Sequence, residues 1–110
     1  MSKLYQEERD SSVTHDGRRY SLNRLFRLTQ NDPVIMVQVS DLVWLTTEGP
    51  SPDPTRVEKA DLDAPILITL WNHRLVVLDG WHRLHKAMKV SRADLPARYV
   101  TEVYLAQSRG

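Results

Sequence analysis

Leu75-Val-Val-Leu78 passes through Asp79-Gly80 directly into Trp81-His-Arg-Leu-His-Lys-Ala-Met-Lys89, so a short apolar strand meets a basic helix across two residues. No other stretch restricts the fold as much. An apolar strand of this kind belongs in the core. The helix places Trp81, Leu84, Ala87 and Met88 on one stripe, which must pack inward and leave the basic face outward. The junction also suits an anion. The first N–H groups of a helix lack intrahelical partners and carry about half a positive charge, so phosphate oxygens dock there. Gly80 allows close approach of a ligand to the backbone, and His82, Arg83 and Lys86 add side-chain donors.

The remaining elements follow from spacing and breakers. Asp16-Gly17 signals a turn, and Ser21 stands at an N-cap before Leu22, Leu25, Phe26 and Leu28, which predict a helix over 22–29. Val34-Ile-Met-Val-Gln-Val39 reads as a buried strand, followed by a helical turn over 40–45. Gly49, Pro50, Pro52 and Pro54 make 46–55 a loop. A short helix is expected over 56–63 before Pro65. Ile66–Trp71 and Leu75–Leu78 flank Asn72-His73-Arg74 as a β-hairpin, although the turn lacks glycine. Residues 96–101 read as a last strand and 102–107 as a frayed helical tail. This order indicates an α+β fold, a mixed β-sheet with flanking short helices.

Composition excludes several chemistries. The chain of 110 residues is the size of one domain, here expected over 15–110 with residues 1–14 as a mobile N-terminal segment. It contains no cysteine, which removes disulfides, thiol catalysis and Cys-based zinc sites. No apolar run approaches a membrane span or a secretion signal, so a cytoplasmic location without a membrane partner is expected. The net charge of +1 implies nothing about nucleic acid, but its distribution is uneven: residues 40–70 carry −4 and residues 71–110 carry +4. Such polarity fits either two halves that attract each other or an anion-binding face beside an acidic loop.

The run Pro65-Ile-Leu-Ile, a hairpin, Val77-Leu-Asp-Gly-Trp-His-Arg-Leu-His-Lys-Ala87 and Leu95-Pro-Ala-Arg-Tyr-Val100 resembles the ParB/sulfiredoxin superfamily over about Val34 to Thr101. Its members share a strand, a Gly-containing turn, a His-Arg or Arg-Arg pair opening a helix, and a strand introduced by an apolar residue and Pro. Asp53-Pro-Thr-Arg-Val57 is similar to the Arg-bearing segment that often precedes this core. The resemblance implies a nucleotide pocket. Sulfiredoxins bind ATP phosphates at this turn, ParB proteins bind CTP there, and related free-serine kinases carry Asp-Gly-His-His-Arg. It therefore implies ATP, CTP or ADP with Mg2+ as ligands, with Gly80, Trp81, His82, Arg83, Lys86 and Arg56 binding the nucleotide. Asp79 would hold the metal, and Asp79, His82 and Arg83 would act in catalysis. Two departures bound the expectation: Trp81 stands where sulfiredoxins have cysteine, and no helix-turn-helix region is legible after Gly110, so neither sulfinic-acid reduction nor a complete partitioning clamp is expected.

Each of these residues also has a simpler reading. A carboxylate just before a helix is first of all an N-cap, which for Asp79 would compete with a bound phosphate. His82 and Arg83 could be a solvated face, Trp81 a core residue rather than a base-stacking one, and Arg56 the partner of Asp53, Asp61 or Asp63. No third ligand accompanies the His82, His85 pair, which argues against a histidine-held metal. Glu48 and Glu58 both stand in the region from which the superfamily kinases supply an acidic base. Arg18, Arg19, Arg24 and Arg27 form a second basic cluster, a solvated face or a DNA contact. The reading is of a nucleotide-binding protein, with NTP hydrolysis or phosphoryl transfer as its chemistry. A DNA-binding or nuclease-like module and a non-enzymatic interaction protein are the alternatives, and oligomeric state is left open.

Overall fold

A computed structural model describes residues 12–109. In chain order the elements are β1 (Ser12–His15), β2 (Arg18–Ser21), α1 (Leu22–Thr29), β3 (Ile35–Gln38), α2 (Pro54–Lys59), β4 (Ile66–Trp71), β5 (Arg74–Asp79), α3 (Trp81–Lys89), β6 (Asp94–Tyr99) and α4 (Glu102–Gln107). Two compact units result. Residues 33–99 form one, and the flanking segments, 12–32 and 100–109 of the described residues, form the other.

In the flanking unit, Asp16 and Gly17 both adopt positive φ, which turns β1 back onto β2 as a tight antiparallel hairpin. Ser21 caps α1 as expected, its hydroxyl accepting from Arg24 N–H at 3.2 Å. Leu22 and Leu25 are buried, whereas Phe26 is exposed. Thr101 caps α4 by accepting from Tyr104 N–H, and the Tyr104 hydroxyl donates to Asp32 at 2.8 Å. Strand β1 begins at Ser12, within the segment expected to be mobile; residues 1–11 of that segment lie outside the described residues.

The larger unit is a four-stranded mixed sheet in the order β3-β6-β4-β5, and the described chain as a whole is α+β with several short helices. β4 pairs antiparallel with β5 and parallel with β6. The β4–β5 hairpin turns on Asn72 and His73, both at φ near +60°, so two residues that tolerate the left-handed region do what glycine usually does. Leu84 and Ala87 of α3 pack on Ile66, Ile68, Leu95 and Ala97 to make the core. Met88, expected on the same stripe, is exposed.

Three sequence expectations need correction. β3 is an edge strand, not a buried one: Ile35 and Met36 are exposed and only Val37 is buried. α2 starts at Pro54 and ends at Lys59, because Asp53 accepts from Thr55 N–H at 2.9 Å and Pro54 fits the first helical position. The helical turn expected over 40–45 is a pair of 3-10 turns, Val39–Asp41 and Val43–Thr47, the second of which takes residues 46 and 47 from the expected loop. Finally, β6 begins at Asp94. Pro96 is tolerated inside it because that stretch pairs with β3 alone, the parallel ladder to β4 starting only at Ala97. Among the described residues no helix is long and apolar enough to cross a membrane.

Candidate functional site

The turn after β5 is shaped by a bulge and a glycine. Ile68 pairs with Val77 and Leu67 with Asp79, so Leu78 is an extra residue that re-aims the strand just before the carboxylate. Gly80 then takes φ of 121°, a value side-chain-bearing residues rarely adopt. A Cβ here would lie 2.7 Å from Ile66 Cβ and nearer still to its Cγ2. The glycine is therefore required twice, by its backbone angle and by the strand beneath it.

Gly80, not Asp79, occupies the N-cap of α3, and no side chain caps that helix. The reading of Asp79 as a helix cap is thereby overturned. Its carboxylate does not compete for the helix N–H groups, so the conflict between a cap and a bound phosphate disappears. A cleft of about 540 Å3 opens at this turn, lined by Asp79 to Arg83 and by Arg56, Lys59 and Asp61 from α2 and the segment after it. Clefts of this size accommodate small-molecule ligands of several hundred cubic ångströms.

Asp79 is half-buried and lies 3.7 Å from Arg83 Nη1. Burial pushes its carboxyl above the usual carboxylate range, against the opposing pull of Arg83 and Arg56. Its folded pKa exceeds its unfolded one, so the proton-bound form is favoured by folding and that contribution is lost as pH rises through the folded pKa. Asp79→Asn is accordingly expected to raise the melting temperature at neutral pH, checked by calorimetry of both proteins at about pH 7.5; a fall would show that the Arg83 pairing outweighs burial.

Arg83 also donates to Pro65 O at 3.3 Å, which leaves part of its guanidinium toward the cleft. Arg56 is exposed and makes no ion pair among the described residues, so the expected alternatives Asp53, Asp61 and Asp63 do not hold it. His82 lines the cleft, but its Nε2 accepts the Asp53 N–H at 3.2 Å. That bond requires a neutral ring with its proton on Nδ1. Burial and the neighbouring Arg56 hold its pKa below the ordinary histidine value.

Lys86 departs from expectation. Its Nζ donates to Glu58 O at 2.9 Å and Ala60 O at 2.8 Å, satisfying carbonyls at the end of α2, and it does not line the cleft. Glu48 and Glu58 do not line it either. Lys59 and Asp61, not singled out from sequence, do. The Asp53-Pro54 pair was the available signal, since a helix starting there carries Arg56 and Lys59 one turn apart on one face. Trp81 packs against the core, donates from Nε1 to Pro50 O at 3.2 Å, and meets His85 edge-on at 4.7 Å between ring centres.

Three cations, Arg56, Lys59 and Arg83, line the cleft against two carboxylates, Asp61 and Asp79. Among the described residues no three His, Asp or Glu side chains gather to hold a metal ion, and the Asp79 carboxylate is acted on by two arginines, Arg83 and Arg56. The residues do not fit a protein-held Mg2+. Arg18, Arg19, Arg24 and Arg27 are all exposed; Arg19 donates to Ser12 Oγ and Arg24 to Gln107 O. No protein-family model and no curated protein sequence matches this chain.

Proposed function

We propose that this protein has a ParB/sulfiredoxin-like fold and binds a nucleotide by its phosphates at the N-terminus of α3. The observation that carries this reading is the cleft at a helix start that no side chain caps, lined by Arg83 of α3 and by Arg56 and Lys59 of α2. Backbone N–H groups and a guanidinium fork together match phosphate oxygens in charge and direction. The resemblance of Asp79-Gly-Trp-His-Arg83 to nucleotide-binding turns is in keeping with it. The chemistry such a site suits is hydrolysis or phosphoryl transfer. Asp79, whose carboxyl is held above its usual range, takes the proton of the attacking hydroxyl as that oxygen bonds to phosphorus and the bond to the leaving phosphate breaks. Developing negative charge on the phosphate oxygens is met by the arginines and the helix start.

Calorimetric titration of the intact protein with ATP, CTP and ADP, each with and without Mg2+, tests this. Binding of at least one at millimolar concentration or below is expected, and heat from none of them would refute the reading. Arg83→Ala should weaken binding by about 1–3 kcal/mol, five- to 150-fold, whereas Arg83→Lys keeps the charge without the fork and should fall between. A gel shift with duplex DNA in a salt series covers the competing outcome: salt-steep DNA binding without nucleotide would assign the basic cluster at Arg18 to Arg27 that role instead.

A further inference from the structure

The segment 49–60 is fastened to α3 at three places. Trp81 Nε1 donates to Pro50 O, the Asp53 N–H donates to His82 Nε2, and Lys86 Nζ donates to Glu58 O and Ala60 O. Of the three side chains, only the His82 imidazole of the middle fastening can gain a proton in mildly acidic solution. It is also the one that fixes the start of α2, because Asp53 gives its N–H to His82 and its carboxylate to Thr55 N–H. Two of the cations that line the cleft, Arg56 and Lys59, lie on the short helix that begins there.

A protonated imidazole has no lone pair on Nε2, so it cannot accept the Asp53 N–H and instead turns a second donor toward it. The charged and titratable groups that act on His82 are Arg56 and Asp53 from α2 and its cap, and His85 from α3. Burial opposes protonation most, Arg56 and His85 add to it and Asp53 favours it; together they hold the ring neutral to lower pH than an ordinary histidine. This arrangement gives a sign that separates two roles. A histidine donating to a phosphate strengthens binding as pH falls, whereas a histidine accepting from the protein weakens it.

Resting on the reading of the cleft as an anion site, we infer that His82 is a positioning residue: in its neutral form it latches the start of α2 to α3, holds Arg56 and Lys59 at the cleft, and makes acidification loosen anion binding. The first test needs no ligand. In 15N-labelled protein followed by NMR from about pH 7.5 to about pH 5, the His82 ring should carry its proton on Nδ1 at the upper end, and the Asp53 amide should lose its downfield shift and its protection from exchange as the ring titrates. His82→Gln, whose Oε1 accepts the same N–H without ionising, should keep the Asp53 amide shift across the range; His82→Ala should lack it throughout. An Asp53 amide that ignores both the pH and the substitutions overturns the inference.

The second test measures affinity for trimetaphosphate, a cyclic triphosphate whose charge is constant over this range. The wild-type protein should lose affinity for it between about pH 7.5 and about pH 5, and His82→Gln should show a flat profile. Tighter binding on acidification, lost in His82→Gln, would make His82 a phosphate donor and overturn the inference. Absence of trimetaphosphate binding at any pH, with the Asp53 amide still following His82, would refute the anion-site reading while leaving the latch in place.

Discussion

Replacing Gly80 with alanine is expected to cost about 3–5 kcal/mol of folding stability, read as a shift of the denaturation midpoint at unchanged slope. Two penalties combine. At φ of 121° an alanine backbone is strained by on the order of 1–3 kcal/mol. Its Cβ would also meet Ile66, whose side chain is fully buried at the start of β4 and has nowhere to go. The clash involves the branch point of the isoleucine rather than the free end of a flexible side chain. Adding Ile66→Ala should therefore recover part of the loss, giving a coupling of about 1 kcal/mol or more between the two substitutions. Strictly additive effects would mean that the backbone angle alone explains the glycine. On the proposed reading of the cleft, anion binding should also suffer in the single variant where it folds, because the N-cap of α3 is displaced.

Trp81→Ala should cost about 3 kcal/mol, the lower part of the range for removing a large aromatic, since the indole is only half-buried. The loss has an apolar and a polar share. The ring packs on the core beneath the turn, and its Nε1–H holds Pro50 O. Trp81→Phe retains most of the first and none of the second, so it should cost about 1 kcal/mol. Gly49 reports on the same contact from the other side: a Cβ there would lie 2.6 Å from Trp81 Cζ2, so Gly49→Ala is tolerated only where the indole is gone. In Trp81→Ala the amides of Gly49, Ser51 and Asp53 should exchange faster with solvent, whereas those of β4 should be unchanged relative to global stability. Equal loss in the Phe and Ala variants would show that the hydrogen bond, not the packing, carries the residue.

The elements that could be read from sequence are those whose causes are local. Ser21 before an apolar spacing, Asp16-Gly17, and the strand-to-helix junction at Asp79-Gly80 each carry their instruction within a few residues. The β4–β5 hairpin was legible from the alternation of strand and polar turn even without glycine, because Asn72 and His73 accept positive φ. What was misread depended on distant partners. That β3 lies at an edge follows from the strand order, which nothing in residues 34–39 encodes. Lys86 looks like any helix-face cation until carbonyls of Glu58 and Ala60 stand beside it, and His82 looks like a phosphate donor until the Asp53 amide takes its lone pair. The start of α2 was a different failure. Pro54 alone signals a loop, but preceded by Asp53 it is a helix start.

The pairing pattern of the sheet also sets an order of events in folding. β4, β5 and α3 are consecutive, joined by a two-residue turn and a single glycine, so their contacts close short loops. β3 and β6 meet only after some sixty residues have been brought round, since Ile35 pairs with Ala97. Loop-closure entropy makes the second event the slower one. The turn at Asp79-Gly80 should thus be assembled before the sheet is complete, with amides of 66–89 protected earliest in pulse-labelled refolding. A chain stalled at that stage would already present its Gly80 turn, backed by Ile66 and Leu84, while the outer strand that finishes the sheet was still unpaired.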